Sequence, residues 1–207
     1  MKILALEFSS RRRSVAVADG ANLLAKVETN EVSQSPLMLV DQALGEADID
    51  QTHVETIALG IGPGSYTGIR SAIATAQGWQ FANDINLYTT SSAEILASTA
   101  RTNGIRGKVH FIIDAQRHEY YQTTWKLTDD SQTESAPLQI IGVSEAATLE
   151  AHGPDATGFP FCTPLYPDAA ALARMAASQT RFPPCKPIEP IYIRSIDFTK
   201  APPPRAL

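Results

Sequence analysis

The N-terminal part of the chain holds three short segments that contain closely spaced apolar residues and are separated by polar or turn-forming residues. Residues 2–7 form the first run, and its lack of polar interruption indicates a strand in the middle of a sheet. The runs at 14–18 and 22–28 are separated by Asp19-Gly20, a dipeptide that favours a tight hairpin turn. The pattern therefore predicts three antiparallel strands in succession.

Apolar residues then change to helical spacing. Ser35-Pro36 is typical of a helix start, and apolar residues recur every three or four positions as far as Ala47. After this helix the pattern predicts a strand at 55–60, a helix at 67–82 and a strand at 87–89. A further helix is predicted to begin at the capping box Ser91-x-x-Glu94 and to end at Asn103-Gly104. The predicted order is three strands, followed by helix, strand, helix, strand and helix.

The second half of the chain begins like the first. The segment 109–117 parallels 3–11, because in both an apolar strand ends in a carboxylate, turns through small or polar residues with arginine, and enters a second strand. Further strands are predicted at 120–127, 137–141 and 191–193, with a helix that starts at Pro167-Asp168 and an extended tail at 201–204.

The order of these elements is that of the ribonuclease-H-like lobe, which occurs twice in proteins of the actin, Hsp70 and sugar-kinase superfamily. By analogy we expect an α/β protein with this two-lobed fold. We expect an N-terminal lobe at 1–104 and a smaller C-terminal lobe at 105–207. Twelve of the fourteen prolines lie from Pro137 onward, so the second lobe should be reduced and rich in turns.

Composition and charge limit the class of function. Hydrophobic residues make up 43%, charged residues 19%, and the formal net charge is -5, which is ordinary for a globular protein. The basic cluster at 11–13 is short, so binding of nucleic acid by the chain alone is not expected. The N-terminal run is too short for a signal peptide or a membrane span. Cys162 and Cys185 lack CxxC spacing, which favours free thiols in the reducing cytoplasm, although a disulfide between them stays open.

Glu7 and Asp114 are the first candidates for chemistry, because each ends the first strand of its lobe. In ATPases of this superfamily, carboxylates at these two places hold Mg²⁺ and position the attacking group. The pair would then indicate a nucleotide-dependent enzyme, an ATPase or a small-molecule kinase. The other interpretation is that both are strand-end residues bonded to turn amides. We favour it, because only two glycines follow Gly142 and a glycine-rich adenosine site needs more.

The most informative segment is a glycine-rich loop that precedes the helix at 67–82. It could shape a turn through positive φ, or bind phosphate through backbone amides at the helix N-terminus. No lysine stands where a P-loop requires one, and the helix behind is rich in small residues that allow close packing. We therefore expect a structural role for the loop residues Gly62, Pro63, Gly64, Ser65 and Gly68.

The sequence contains no familiar motif for a metal or a nucleophile. No HExxH occurs, and no serine, threonine or cysteine lies in a nucleophile elbow. The histidines form no pair at metal-binding spacing; they are His53, His110, His118 and His152. Neither a metal nor another cofactor is expected.

The segment 62–70, GPGSYTGIR, closely resembles the GPGSFTGxR signature of the TsaB (YeaZ) family, with Tyr66 in place of phenylalanine. The start ILALEFSS resembles the family's ILAIDTS, with Glu7 in place of aspartate. Where relatives often have His-Ser before the first helix, this chain has Gln34-Ser35. Further resemblances to the family lie at 111–117, 165–169 and 189–194.

The resemblance implies a non-catalytic scaffold subunit. In the family, this subunit pairs with the catalytic paralogue TsaD, which transfers a threonylcarbamoyl group to tRNA and forms N6-threonylcarbamoyladenosine (t6A). An ATPase, TsaE, supports turnover. The resemblance further implies a homodimer when the chain is alone, contact with tRNA only through the complex, no cofactor and no membrane. The nucleotide-dependent enzyme remains the alternative.

The resemblance also implies a partner surface on the two helices at about 36–47 and 67–82. Four consecutive apolar residues at 37–40 cannot all face one core, because successive residues lie about 100° apart on a helix. Part of that run should be exposed, as apolar interaction surfaces are. The expected surface comprises Pro36, Leu37, Met38, Val40, Leu44, Arg70, Ile73, Ala74 and Gln77.

Overall fold

The three N-terminal apolar runs form one side of a five-stranded sheet. They become β1 (Lys2–Glu7), β2 (Arg13–Asp19) and β3 (Asn22–Thr29), which pair antiparallel. After the first helix, β4 (Thr56–Gly60) and β5 (Asn86–Thr90) add in parallel, and the strand order is β3-β2-β1-β4-β5. Because β1 lies in the centre, both of its faces are buried, as its apolar run predicts.

Two helices cover one face of this sheet. α1 (Pro36–Ala47) packs its apolar side against β2 and β3, and α2 (Tyr66–Ala82) packs against β4 and β1. Leu4 and Leu6 of β1 and the following Phe8 are fully buried in the core on this face. Between α1 and β4 the chain makes a short 3₁₀ turn at Gln51–His53. The opposite face of the sheet is covered by α3 (Ser92–Thr102) and by a helix from the end of the chain.

A second five-stranded sheet follows, with the order β10-β9-β6-β7-β8. Its long strands pair antiparallel, and α3 packs against the face that carries Phe111 and Trp125. The elements are β6 (Gly107–Asp114), β7 (Glu119–Leu127), β8 (Gln132–Gly142), the short helix α4 (Val143–Ala146), β9 (Ala151–Gly153) and β10 (Cys162–Pro164).

The last helix among the described residues, α5 (Ala169–Ala177), returns to the first sheet and packs on β1 and β2. Asp168 fixes its start: one carboxylate oxygen accepts from the Ala170 amide at 2.6 Å, and the other pairs with the Lys26 ammonium at 2.8 Å. The Ala169 amide donates to the Ser14 hydroxyl at 3.0 Å. Residues beyond 104 thus contribute to the core of the first sheet, and the division at 104 stays a prediction.

The computed structural model describes residues 1–154, 156, 158–182 and 187–191. The two five-stranded sheets with their helices confirm the predicted α/β fold class. The order of strands and helices in the first half is also the predicted one. The elements α4, β9 and β10 were not predicted, because they are too short for periodicity to indicate them. Cys185, positions 192–193 of the last predicted strand and the tail at 201–204 lie outside the described residues. Within the described ranges, no helix is long and apolar enough to span a membrane.

Candidate functional site

The glycine-rich loop between β4 and α2 has a backbone that only glycine adopts without strain. Gly62 and Gly64 have φ of +98° and +144°. A Cβ at Gly64 would stand 2.1 Å from the Ser9 carbonyl oxygen, and one at Gly68 would stand 1.9 Å from the Phe8 carbonyl oxygen. The loop and the start of α2 therefore lie directly against the chain that leaves β1, which supports the structural interpretation.

Hydrogen bonds fix this loop to two neighbouring segments. The Ser65 amide donates to the Ser9 carbonyl at 2.6 Å, and the Ser92 amide donates to the Gly62 carbonyl at 2.7 Å. Ser65 also caps α2, because its hydroxyl accepts from the Gly68 amide at 3.3 Å. Two backbone amides that could otherwise bind a phosphate, those of Ser65 and Gly68, are thus engaged within the protein.

A polar cleft of about 340 Å³ lies beside this loop. Asp114 is on its wall, and the carboxylate of Asp114 accepts from the amide and the side chain of Gln116, both at 2.7 Å. The turn that holds Gln116 has three successive residues with positive φ, at 116–118. The cleft is lined by Ser9, Ser10, Arg11, Gly64, Ser65, Tyr66, Thr67, Asp114 and Gln116.

Glu7 does not line this cleft. Its side chain is 0% exposed and, like Ile3 and Ala5, faces the side of the sheet covered by α3 and α5. One carboxylate oxygen accepts from the Ser9 amide at 2.7 Å, and burial raises the pKa of Glu7 to about 7. Glu7 and Asp114 are each bonded to the amide two residues on, as expected for strand-end residues, and the structure does not bring them together in one open site.

The apolar run 37–40 lies at the start of α1, and only part of it is exposed, as predicted. Leu37 and Met38 are 62% and 64% exposed, whereas Leu39 and Val40 are buried beneath the helix. Leu37 lines an open groove of about 540 Å³ between α1, the 3₁₀ turn and α2. The groove is lined by Leu37, Gln51, Thr52, Ala74, Thr75, Gly78, Trp79, Ala82 and Asn83.

α2 continues this face with a stripe of exposed residues at a spacing of three or four. The stripe comprises Tyr66, Arg70, Ala74, Gln77 and Phe81. The Arg70 guanidinium lies 4.1 Å from the centre of the Tyr66 ring. Phe81 is 96% exposed and is not among the residues expected from the sequence. It lies four residues after Gln77, and this spacing could have placed it on the same face of the helix. We call the exposed sides of α1 and α2, with the groove between them, the α1–α2 face.

Three residues expected at this surface lie in the core instead. Val40, Leu44 and Ile73 are buried, because they stand three or four positions apart from other core residues on the inner side of their helices. The α1–α2 face therefore consists of the other expected residues with Tyr66 and Phe81 added. Of these, Pro36 is half-buried, and Leu37, Met38, Arg70, Ala74 and Gln77 are exposed.

No histidine is among the residues that line the cleft or the α1–α2 groove, and neither is Cys162. In the part of the chain that the structure describes, no three His, Cys, Asp or Glu side chains come close enough to hold a metal ion. His110 shares a hydrogen bond with the Thr124 hydroxyl at 2.9 Å, and the Cys162 thiol donates to the Leu149 carbonyl at 3.5 Å. These contacts are structural.

One family model matches most of the chain. The family model of TsaD, tRNA N6-adenosine threonylcarbamoyltransferase, matches residues 28–186. The chain belongs to this family. Its relatives include the tRNA threonylcarbamoyladenosine biosynthesis proteins TsaB of Escherichia coli, 32% identical over 58% of this chain and 53% of that protein, and of Haemophilus influenzae, 30% identical over 58% and 52%. The chain spans about half the length of these curated relatives.

Solved structures agree with this assignment. A Pseudomonas aeruginosa protein described as similar to peptidase YeaZ superposes with a TM-score of 0.77 at 26% identity, over 93% of this chain and 99% of that one. Together with the TsaB relatives, this match confirms the TsaB (YeaZ) assignment within the TsaD family and the two-lobed fold.

Proposed function

We propose that this chain is a non-catalytic subunit of the machinery that forms t6A on tRNA, and that it supports a TsaD-type catalytic subunit by binding it through the α1–α2 face. A TsaE-type ATPase would act on the paired subunits, and tRNA would be bound only through the complex. The observation that carries this proposal is the exposed apolar surface of α1 and α2. The second support is membership of a family whose curated relatives are named for t6A biosynthesis.

The distribution of exposed apolar side chains supports a partner at this face. Among the described residues nine large apolar side chains are exposed, and four of them lie on α1 and α2: Leu37, Met38, Tyr66 and Phe81. Leu37 lines the groove between the two helices, and aromatic and methionine side chains such as the other three are enriched in the cores of interfaces. Such a surface is stabilised when a partner removes it from water.

Charge on the α1–α2 face suits a partner that also presents two helices. The exposed ionised residues of α1, Asp41 and Glu46, are acidic, and the ionised residue of α2, Arg70, is basic. A second helix pair with the same distribution, laid across this one, would place opposite charges together. The face therefore fits a second copy of the chain, and it would fit a paralogue of the same fold that shares this distribution.

The complete burial of Glu7 favours a non-catalytic role over a role as a nucleotide-dependent enzyme. A metal-bound nucleotide would need both strand-end carboxylates at one open site, whereas Glu7 is buried on the far side of the sheet from α1 and α2. The enzyme alternative predicts that Mg-ATP raises the melting temperature of the isolated chain. Our proposal predicts no change.

The experiment that tests the proposal is co-purification of the chain with the TsaD-type paralogue of the same organism. We expect the two to elute together as one species on size-exclusion chromatography, and the chain alone to elute as a dimer. Separate elution of the two folded proteins over the micromolar range would contradict the proposal.

A further inference from the structure

A second polar cavity, of about 280 Å³, lies between α3 and α5. α3 lines it with residues spaced three or four apart, among them Glu94, Ser98 and Arg101, and α5 lines it with Arg174. Both helices cover the side of the first sheet that is opposite to α1 and α2. Within the described ranges, this α3–α5 cavity shares no lining residue with the cleft at the glycine-rich loop or with the α1–α2 groove.

Two guanidinium groups line the α3–α5 cavity without an acidic partner. In the part of the chain that the structure describes, neither Arg101 nor Arg174 forms an ion pair. Nη2 of Arg174 reaches across from α5 and donates to the Thr102 hydroxyl at 3.4 Å, so its guanidinium lies beside the turn of α3 that carries Arg101. Two cations in one cavity repel each other, and an anion bound between them would replace this repulsion with two charge-assisted interactions.

The ends of the two helices account for only part of this arrangement. Each arginine lies in the last turn of its helix, where the helix dipole favours a positive charge. That effect acts between a cation and its own helix, whereas Arg174 is hydrogen-bonded to the neighbouring helix. Elsewhere in the chain, Arg12 is paired with Glu28, and Arg106 is paired with Asp129. The two arginines of the α3–α5 cavity therefore lack the neutralising carboxylate that these other arginines have.

Glu94 is the one carboxylate among the described residues that line the cavity. It stands seven positions before Arg101, which corresponds to about 10 Å along the helix. Its carboxylate accepts from the Thr90 hydroxyl, and a carboxylate has further lone pairs that can accept from donors on a ligand. The cavity thus has a cationic end and, toward the start of α3, an end that accepts hydrogen bonds.

We propose that the α3–α5 cavity binds a phosphate monoester of a small molecule that carries hydroxyl or amino groups. The phosphate lies between Arg101 and Arg174, and the hydroxyl or amino groups donate toward Glu94. A phosphate monoester suits two guanidinium groups, because it carries about −1.5 to −2 charges at pH 7 and accepts through three oxygens. The volume is near the lower end of the range for ligand sites, about 300–1,000 Å³, so a compact metabolite fits better than a nucleotide. This inference does not depend on the proposed function.

Isothermal titration calorimetry on the full chain tests the ligand class with inorganic phosphate, glycerol 3-phosphate and glycerol as probes. The ionic strength is held constant, so that screening is alike in all titrations. We expect the two phosphate-containing probes to bind and glycerol not to bind. Glycerol 3-phosphate should bind more tightly than inorganic phosphate, because its hydroxyl groups can donate toward Glu94. Absence of binding by both over the millimolar range would overturn the proposal, and equal affinity for both would overturn the assignment to a phosphate monoester.

Two variants, Arg101→Gln and Arg174→Gln, test whether the phosphate binds in this cavity. Each removes one cation and keeps a good helix former, so affinity for glycerol 3-phosphate should fall about tenfold to a hundredfold in a protein that circular dichroism shows to be folded. The matched control is Arg11→Gln, which removes an arginine from the cleft at the glycine-rich loop and should leave the affinity nearly unchanged. Equal binding by all three variants would mean an adventitious ion only, and loss in Arg11→Gln alone would place the phosphate in the other cleft; either result overturns the proposal.

NMR locates the bound phosphate without any substitution. Titration of the natural chain with inorganic phosphate should shift the backbone amide signals of Ser98, Arg101 and Arg174, and it should leave those of Ser65 and Gly68 unchanged. The last two belong to the glycine-rich loop and the start of α2, where their amides are already engaged within the protein. Shifts confined to Ser65 and Gly68, or no shifts at all, would overturn the proposal.

Discussion

At the scale of single residues, glycine positions decide how closely the segments around the cleft can approach. Gly64 and Gly68 lie against the carbonyls of Ser9 and Phe8, at distances no Cβ tolerates. The motif alone predicts a need for glycine, because the loop precedes a helix. It does not identify the carbonyls, since they belong to the turn after β1 and only the folded sheet places them there.

We expect Gly64→Val to destabilise the protein by about 1–3 kcal/mol, because φ of +144° is unfavourable for a β-branched residue and the new Cβ meets the Ser9 carbonyl. The melting temperature should fall by several degrees, measured by circular dichroism. The matched control is Gly142→Val, since φ is −79° there and a Cβ meets nothing within 4 Å. Equal melting temperatures for the two variants would contradict the structural role of the loop.

At the scale of elements, the run 37–40 shows what periodicity can and cannot predict. The bounds of α1 were predicted as the structure has them, and exposure of part of the run followed from helix geometry. Which residues are exposed depends on how the helix is rotated on its sheet, and that rotation is set by packing against β2 and β3. For this reason Val40 and Leu44 were expected at the surface and are buried.

The capping box at the start of α3 gives a second example at this scale. The Ser91 hydroxyl accepts from the Glu94 amide at 3.0 Å, as the motif predicts. The Glu94 carboxylate, however, accepts from the Thr90 hydroxyl. A local motif therefore predicted the helix start correctly, while the tertiary neighbours decided the partner of the glutamate.

Met38→Glu should block pairing through the α1–α2 face and leave the fold intact. Met38 is 64% exposed, so the charge stays hydrated in the monomer, whereas burial in an interface without a partner would cost several kcal/mol. Circular dichroism and size-exclusion chromatography with the TsaD-type subunit measure the two effects. Phe161→Glu is the control, because Phe161 is 62% exposed outside this face. Pairing that survives Met38→Glu, or is lost equally in the control, would exclude this face as the interface.

At the scale of the whole molecule, the two sheets were predicted because element order carries their topology. The return of α5 to the first sheet was not predicted, since it depends on long-range contacts such as the ion pair between Lys26 and Asp168. The resulting shape gives the chain a sealed carboxyl at Glu7 on one side of the first sheet and an open apolar face on the other. The open face is the surface that we propose binds the partner.

The most direct test of a non-catalytic subunit is the amount of t6A formed on tRNA when the chain is combined with the TsaD-type and TsaE-type subunits of the same organism. We expect formation to require this chain, to persist within about twofold in Asp114→Ala, and to fail in Met38→Glu. Asp114 is chosen because it is the strand-end carboxylate that lines the open cleft. Loss of t6A formation in a folded Asp114→Ala protein that still pairs normally would contradict the account.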